Sequence, residues 1–206
     1  GASGTLPFKF KDAILHVTEN PLAVGGDGFT VPDNAGNIRA LFYTANLNTN
    51  LGQGPLYIST RRQIYSLAVP VTRADWIAAN NNNQPVQTVV QRRFGSVSDR
   101  CNVAINGDIF YQSSVPDIRS LLVSIRNDNQ WGNTGLSNNE QRVLQFNDRS
   151  LMRFATGIEF NNRLYQAVLP FQTPVGVAFQ GIVPLDFNLI STLQEKLPPA
   201  WEGLYE

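Results

Sequence analysis

Few side chains in this 206-residue chain are of the types that perform chemistry, and their spacing is the first guide to function. His16 is the only histidine and Cys101 the only cysteine. One of each cannot assemble the usual zinc ligand sets, and a lone cysteine excludes an internal disulfide. His16 lies in the alternating stretch DAILHVTEN and reads as a strand histidine facing solvent or bonded locally, not as a general base. No Gly-x-Ser-x-Gly elbow supplies a nucleophile for it.

A glycosidase needs two carboxyl groups at a fixed separation. The candidates Asp108, Asp117, Glu140, Asp148, Glu159, Asp186, Glu195 and Glu202 are scattered, mostly at turns or polar ends where such residues serve the backbone. GGDG at 25–28 and DNAG at 33–36 match neither an EF-hand loop nor a phosphate-cradling loop, so both read as turns. Arg61, Arg62, Arg92 and Arg93 are of the type that touches phosphate, yet arginines at hairpin tips are mostly solvated. Trp76, Trp131 and Trp201 lie near turns, placed either to stack on sugars, to anchor an interface or to cap the core. The residues point to no cofactor and no catalytic set.

The elements that must position these residues are short strands. Charged residues make up only 16% of the chain, too few for helices laced with i,i+4 ion pairs, while Asn, Gln, Ser and Thr abound. Period-two alternation between turn residues recurs throughout and predicts an all-β, mainly antiparallel fold. IRALFYTANL (38–47) precedes PLYISTRRQIYSLAVPV (55–71), which reads as two strands about Thr60-Arg61-Arg62-Gln63. VAINGDIFYQSSVPDIRSLLVS (103–124) reads as three strands, the first two joined at Asn106-Gly107 in a type I′ turn. ATGIEFNNRLYQAVLP (155–170) repeats the hairpin about Asn161-Asn162, and GVAFQGIVPLDFN (176–188) follows. The three turns are about 45 and 55 residues apart, the length of one four-stranded propeller blade. Blades stacked about an axis would bury the hairpin faces, and a β-sandwich is the alternative.

Two segments break this pattern. Thr72 is placed to cap a helical turn over 75–79, and 72–95 as a whole reads as a long loop insertion in one β domain spanning 1–206. A short helix is expected to begin near Ser137. The insertion carries Trp76 and the run Asn80, Asn81, Asn82, Asn83; together with Trp131 these are the candidate subunit contacts.

A chain of this size buries about 70% of the surface it exposes when unfolded, so it needs no staple. Sixteen basic and sixteen acidic residues cancel, which removes any global field toward nucleic acid or an anionic membrane. No stretch approaches the ~20 apolar residues of a membrane span, and 1–8 lacks the features of a signal peptide. The lone thiol fits folding in a reducing cytosol.

Taken in order, several phrases of the sequence resemble a known family. YSLAVPVTRADW, QTVVQRRFGSVSDRCNVAINGDIFYQSSVPDIRSL, QWGNTGLS, FATGIEFNNRLYQAVLP, GIVPLDFN and ISTLQEKLPPAWEGLYE are similar to virion structural proteins of tailed bacteriophages. The similarity covers roughly residues 50–206, and NGDIFYQS, IRSL and KLPPAWEGLY are its most specific pieces. It implies a β-propeller-like domain in the neck or tail, comparable to nozzle proteins that line the DNA exit path as a homo-oligomeric ring. On that reading the partners are other virion proteins, with phage DNA passing nearby and no membrane. The protein would be assembled in the host bacterial cytoplasm and reside in the virion. The family offers no catalytic residues to carry over, so no enzymatic activity is expected. Pro116-Asp117 stands where the family has Asp-Gly, which alters the turn before Ile118. The family's chains continue beyond the Trp-Glu-Gly phrase, so this sequence is expected to be part of a longer chain. The rival expectation is a carbohydrate-binding or carbohydrate-cleaving tail propeller for host recognition, motivated by the tryptophans and scattered acids.

Overall fold

A computed structural model describes residues 13–15, 28–30, 33–44, 55–67, 74, 78, 87–115, 117–127, 135–137, 144–145, 147–172, 178–188, 200–203 and 205. Among them the chain is built almost wholly of antiparallel strands: β1 (Ala13–Leu15), β2 (Gly28–Thr30), β3 (Ile38–Tyr43), β4 (Leu56–Thr60), β5 (Ile64–Leu67), β6 (Gln87–Gln91), β7 (Val103–Ile105), β8 (Asp108–Gln112), β9 (Ile118–Ser120), β10 (Gly157–Phe160), β11 (Arg163–Gln172), β12 (Ala178–Asp186) and β13 (Ala200–Trp201). They form a β1-β2 pair and three meanders, β3-β4-β5-β6, β7-β8-β9 and β10-β11-β12-β13. In each meander every strand pairs with its neighbour in the chain. Each sheet is open, and the described sheets form a series without closing a barrel or a propeller.

The predicted turns are the hinges of these meanders. Asn106 and Gly107 both have positive φ (52° and 79°), as a type I′ turn requires, and so do Asn161 and Asn162 (52° and 58°). The β4–β5 turn uses a different device. The Thr60 amide donates to the Gln63 carbonyl at 2.8 Å, and the Thr60 hydroxyl oxygen accepts from the Gln63 amide at 3.0 Å.

Alternation along the strands explains how the sheets stack. Ile109 and Tyr111 on one face of the β7–β9 sheet join Ala40, Phe42, Tyr57 and Ile64 of the first meander. Val103, Ile105, Phe110 and Ile118 on the other face join Leu164, Val183 and Leu185 of the last, where Phe110 and Phe187 rings lie 4.7 Å apart. The middle sheet is thus apolar on both sides and packed on both sides, as an inner blade would be. Polar tethers hold the series in register: Gln166 Nε2 donates to the Cys101 carbonyl at 3.0 Å, and Asn106 Nδ2 donates to Asn162 Oδ1 at 2.9 Å, joining two hairpin tips.

The structure corrects two expectations and bears in part on a third. The span 72–95 is not one continuous loop, because Gln87–Gln91 is β6, paired with β5. Ala74 and Ala78 are helical, in keeping with a helical turn there, while the intervening residues lie outside the described set. The third strand of 103–124 ends at Ser120, which caps a helix, α1 (Leu121–Arg126). Ser120 Oγ accepts from the Val123 amide at 3.0 Å, and Leu121 and Ile125, four residues apart, both pack against the first interface. Finally, Ser137 sits in a turn; of the helix expected after it, Leu144 is helical and residues 138–143 lie outside the described set.

Candidate interaction surface

Alternation that buries one face of β10–β13 leaves the other open. Leu164, Val183 and Leu185 point inward, so their neighbours Ile158, Phe160 and Ile182 point outward, joined by Tyr205 through its bridge to Ile182. These four are 64%, 62%, 45% and 57% exposed, against 4% or less for Leu164, Val183 and Leu185. Arg163 rims this face, donating to Asp186 at 3.0 Å and lying 3.2 Å from Glu202. The Asn188 amide, with Arg163 behind it, holds the Asp186 carboxyl below its ordinary range.

At the opposite end of the series, the outer face of the first meander buries Ile58, Tyr65 and Leu67 but leaves Leu41 half exposed and Tyr43 57% exposed. Exposed apolar side chains thus stand on the outer face of β10–β13 and, among the described residues of the first meander, on β3 alone. Beyond β10, strands β11 and β12 run on as a two-stranded ribbon, since β10 pairs only with Arg163–Gln166 while β12 pairs as far as Gln172. A register shift between Val168 and Phe171 interrupts that ribbon.

Of the carboxylates that could serve a catalytic pair, Asp186 and Glu202 meet at one nitrogen of Arg163, which bridges and occupies them, and the others that are described serve separate partners. Asp108 serves the start of α1: it accepts from the Leu122 amide at 3.0 Å and from the Ser120 hydroxyl. Asp117 is buried and bound to Arg119 at 2.6 Å, with the Ser113 hydroxyl donating to it. Arg119 in turn lies 3.6 Å from the centre of the Phe94 ring, so the pair is enclosed and occupied. The Asp117 amide donates to the Val115 carbonyl at 2.6 Å. Asp148 binds the Ser150 amide and hydroxyl, and Glu159 binds the Asn162 amide. Burial pushes the pKa of the Cys101 thiol and of the Tyr111 hydroxyl up. Among the described residues no cluster of His, Cys, Asp and Glu could hold a metal.

Trp201 is half-buried against the second interface and its Nε1 donates to the Leu136 carbonyl at 3.3 Å, which makes it a cap on the core. The proposed contacts Trp76, Asn80, Asn81, Asn82, Asn83 and Trp131 lie outside the described residues, as do His16, Glu140 and Glu195. What the sequence reading missed is the outer face of β10–β13. Its signal was present in the alternation of GIEF, but alternation alone does not say which side is covered.

No protein-family model matches the chain, and no curated protein matches it either. No helix among the described residues is long and apolar enough to cross a membrane.

Proposed function

We propose that the chain is a structural, non-enzymatic module of a tailed-phage particle, a ring subunit of the neck or tail nozzle type that works through contacts with copies of itself around the DNA exit path. The observation that carries this reading is the exposed outer face of β10–β13, with Ile158, Phe160, Ile182 and Tyr205 on a sheet whose inner face is packed. Within the chain, sheets bury their apolar faces on the next sheet in the series. The occupant that continues this pattern is the outer face of the first meander of a second copy, where Leu41 and Tyr43 are exposed. Such a contact joins different surfaces of identical subunits, the head-to-tail geometry that makes a ring when its rotation closes. The ordered resemblance to virion structural proteins supports the same reading, and other virion proteins would meet the ring at its edges.

The test is the oligomeric state of the purified chain by analytical ultracentrifugation. Phe160→Glu places a charge in the proposed contact without touching the inner core, so it should retain the wild-type circular dichroism spectrum and melting curve. The expected result is a concentration-dependent oligomer for the wild type and a monomer for the variant. Identical sedimentation of the two would refute the assignment.

A further inference from the structure

Net neutrality hides a local concentration of positive charge. Arg39 on β3, Arg61 at the tip of the β4–β5 turn, and Arg149 and Arg153 from the segment before β10 converge on one cavity of about 240 Å³, together with Ser114 and Ser150. Val97 and Met152 also line it and belong to a small buried cluster with Cys101 and Ala155. Among the described residues, no carboxylate lines the cavity and none of the four arginines is in an ion pair; the guanidinium of Arg153 lies over the Phe154 ring at 4.7 Å. Asp148, adjacent in sequence to Arg149, is turned to the Ser150 amide and hydroxyl at 2.8 and 2.7 Å. All four arginines are exposed, so water carries the cost of their repulsion while their donors remain available.

The chemistry of these donors selects a ligand class. Guanidinium groups present planar forks of N–H that match the oxygens of a doubly charged oxyanion, and the Ser114 hydroxyl adds a neutral donor, that of Ser150 being given to Asp148. A cavity of this volume is below the usual range of drug-sized sites and suits a small anion. The segments that supply the arginines are far apart in sequence, yet strand pairing, a tight turn and a 3-10 turn bring them to one place. We propose that this cavity binds a phosphate group, held by Arg39, Arg61, Arg149 and Arg153. The group is either a free phosphate or pyrophosphate, or a phosphate of a nucleic-acid backbone. This site is separate from the outer face of β10–β13.

The experiment is isothermal titration calorimetry at low ionic strength on the whole chain with inorganic phosphate, pyrophosphate and a short single-stranded DNA as three separate probes. The expected result is saturable binding of at least one probe, weakened at least tenfold in Arg39→Gln/Arg149→Gln and only partly restored in Arg39→Lys/Arg149→Lys, which keeps the charge but not the fork. Arg126→Gln, on the exposed end of α1, should leave binding unchanged, and matching melting curves check that the variants fold. Binding of phosphate or pyrophosphate identifies a free-anion site, and binding of DNA alone identifies a backbone phosphate. Absence of binding by all three probes, or binding that the double glutamine variant leaves intact, would overturn the proposal.

Discussion

A Cβ added to Gly95 would stand 1.8 Å from the Thr60 carbonyl oxygen, because the chain leaving the first meander passes directly against the β4–β5 turn. The contact continues at the next residue, where the Ser96 amide donates to Ser59 Oγ at 2.7 Å, and the Gly95 carbonyl accepts from Ser114 of the next sheet at 3.2 Å. One glycine therefore sets the spacing between two sheets, and the atom it would strike is backbone, which cannot rotate away. Gly95→Ala should destabilise the fold by about 1–3 kcal/mol, the usual cost of overpacking, read as a lower midpoint in urea denaturation. An unchanged midpoint would mean that the two sheets are free to separate. Nothing in the sequence marked Gly95 as different from the turn glycines, because its role comes from a contact with a residue 35 positions away. Asn106, Gly107, Asn161 and Asn162 were legible, since their requirement for positive φ is local.

At the scale of elements, the strands and their turns were readable because alternation and turn chemistry act over a few residues. The end of β9 was not. IRSLLVS alternates poorly and is rich in β-compatible residues, so it reads as strand, yet Ser120 and Asp108 together satisfy the first amides of α1 and tip the segment to helix. Asp108 belongs to the preceding hairpin, 14 residues earlier, which is information that a local pattern does not hold. β6 was concealed in the same way: QTVVQ is short and follows an Asn run, and only its pairing with β5 makes it a strand. The α1 cap gives a direct check. Ser120→Ala removes the acceptor for the Val123 amide and the donor to Asp108, and should cost about 1 kcal/mol of stability, within the usual range for N-caps. Circular dichroism melting measures it, and a loss below a few tenths of a kcal/mol would show that packing of Leu121 and Ile125 alone fixes the helix.

For the whole molecule, the repeated unit is a meander with two apolar faces, and apolar side chains are left exposed on the outer face of β10–β13 and at Leu41 and Tyr43 of the first meander. The sequence conveyed the repeat through the spacing of its turns, but not the identity of the uncovered face, which depends on which sheets are first and last in the series. The central claim is that the stack continues from one copy to the next, with the outer face of β10–β13 against the outer face of the first meander. Disulfide trapping tests it most directly. In a Cys101→Ser background, Leu41→Cys and Phe160→Cys chains are mixed and oxidised mildly. The account predicts a covalent dimer only in the mixture, since the contact joins two different surfaces. Equal trapping of either chain with itself, or no trapping in the mixture while both chains remain folded, would contradict it.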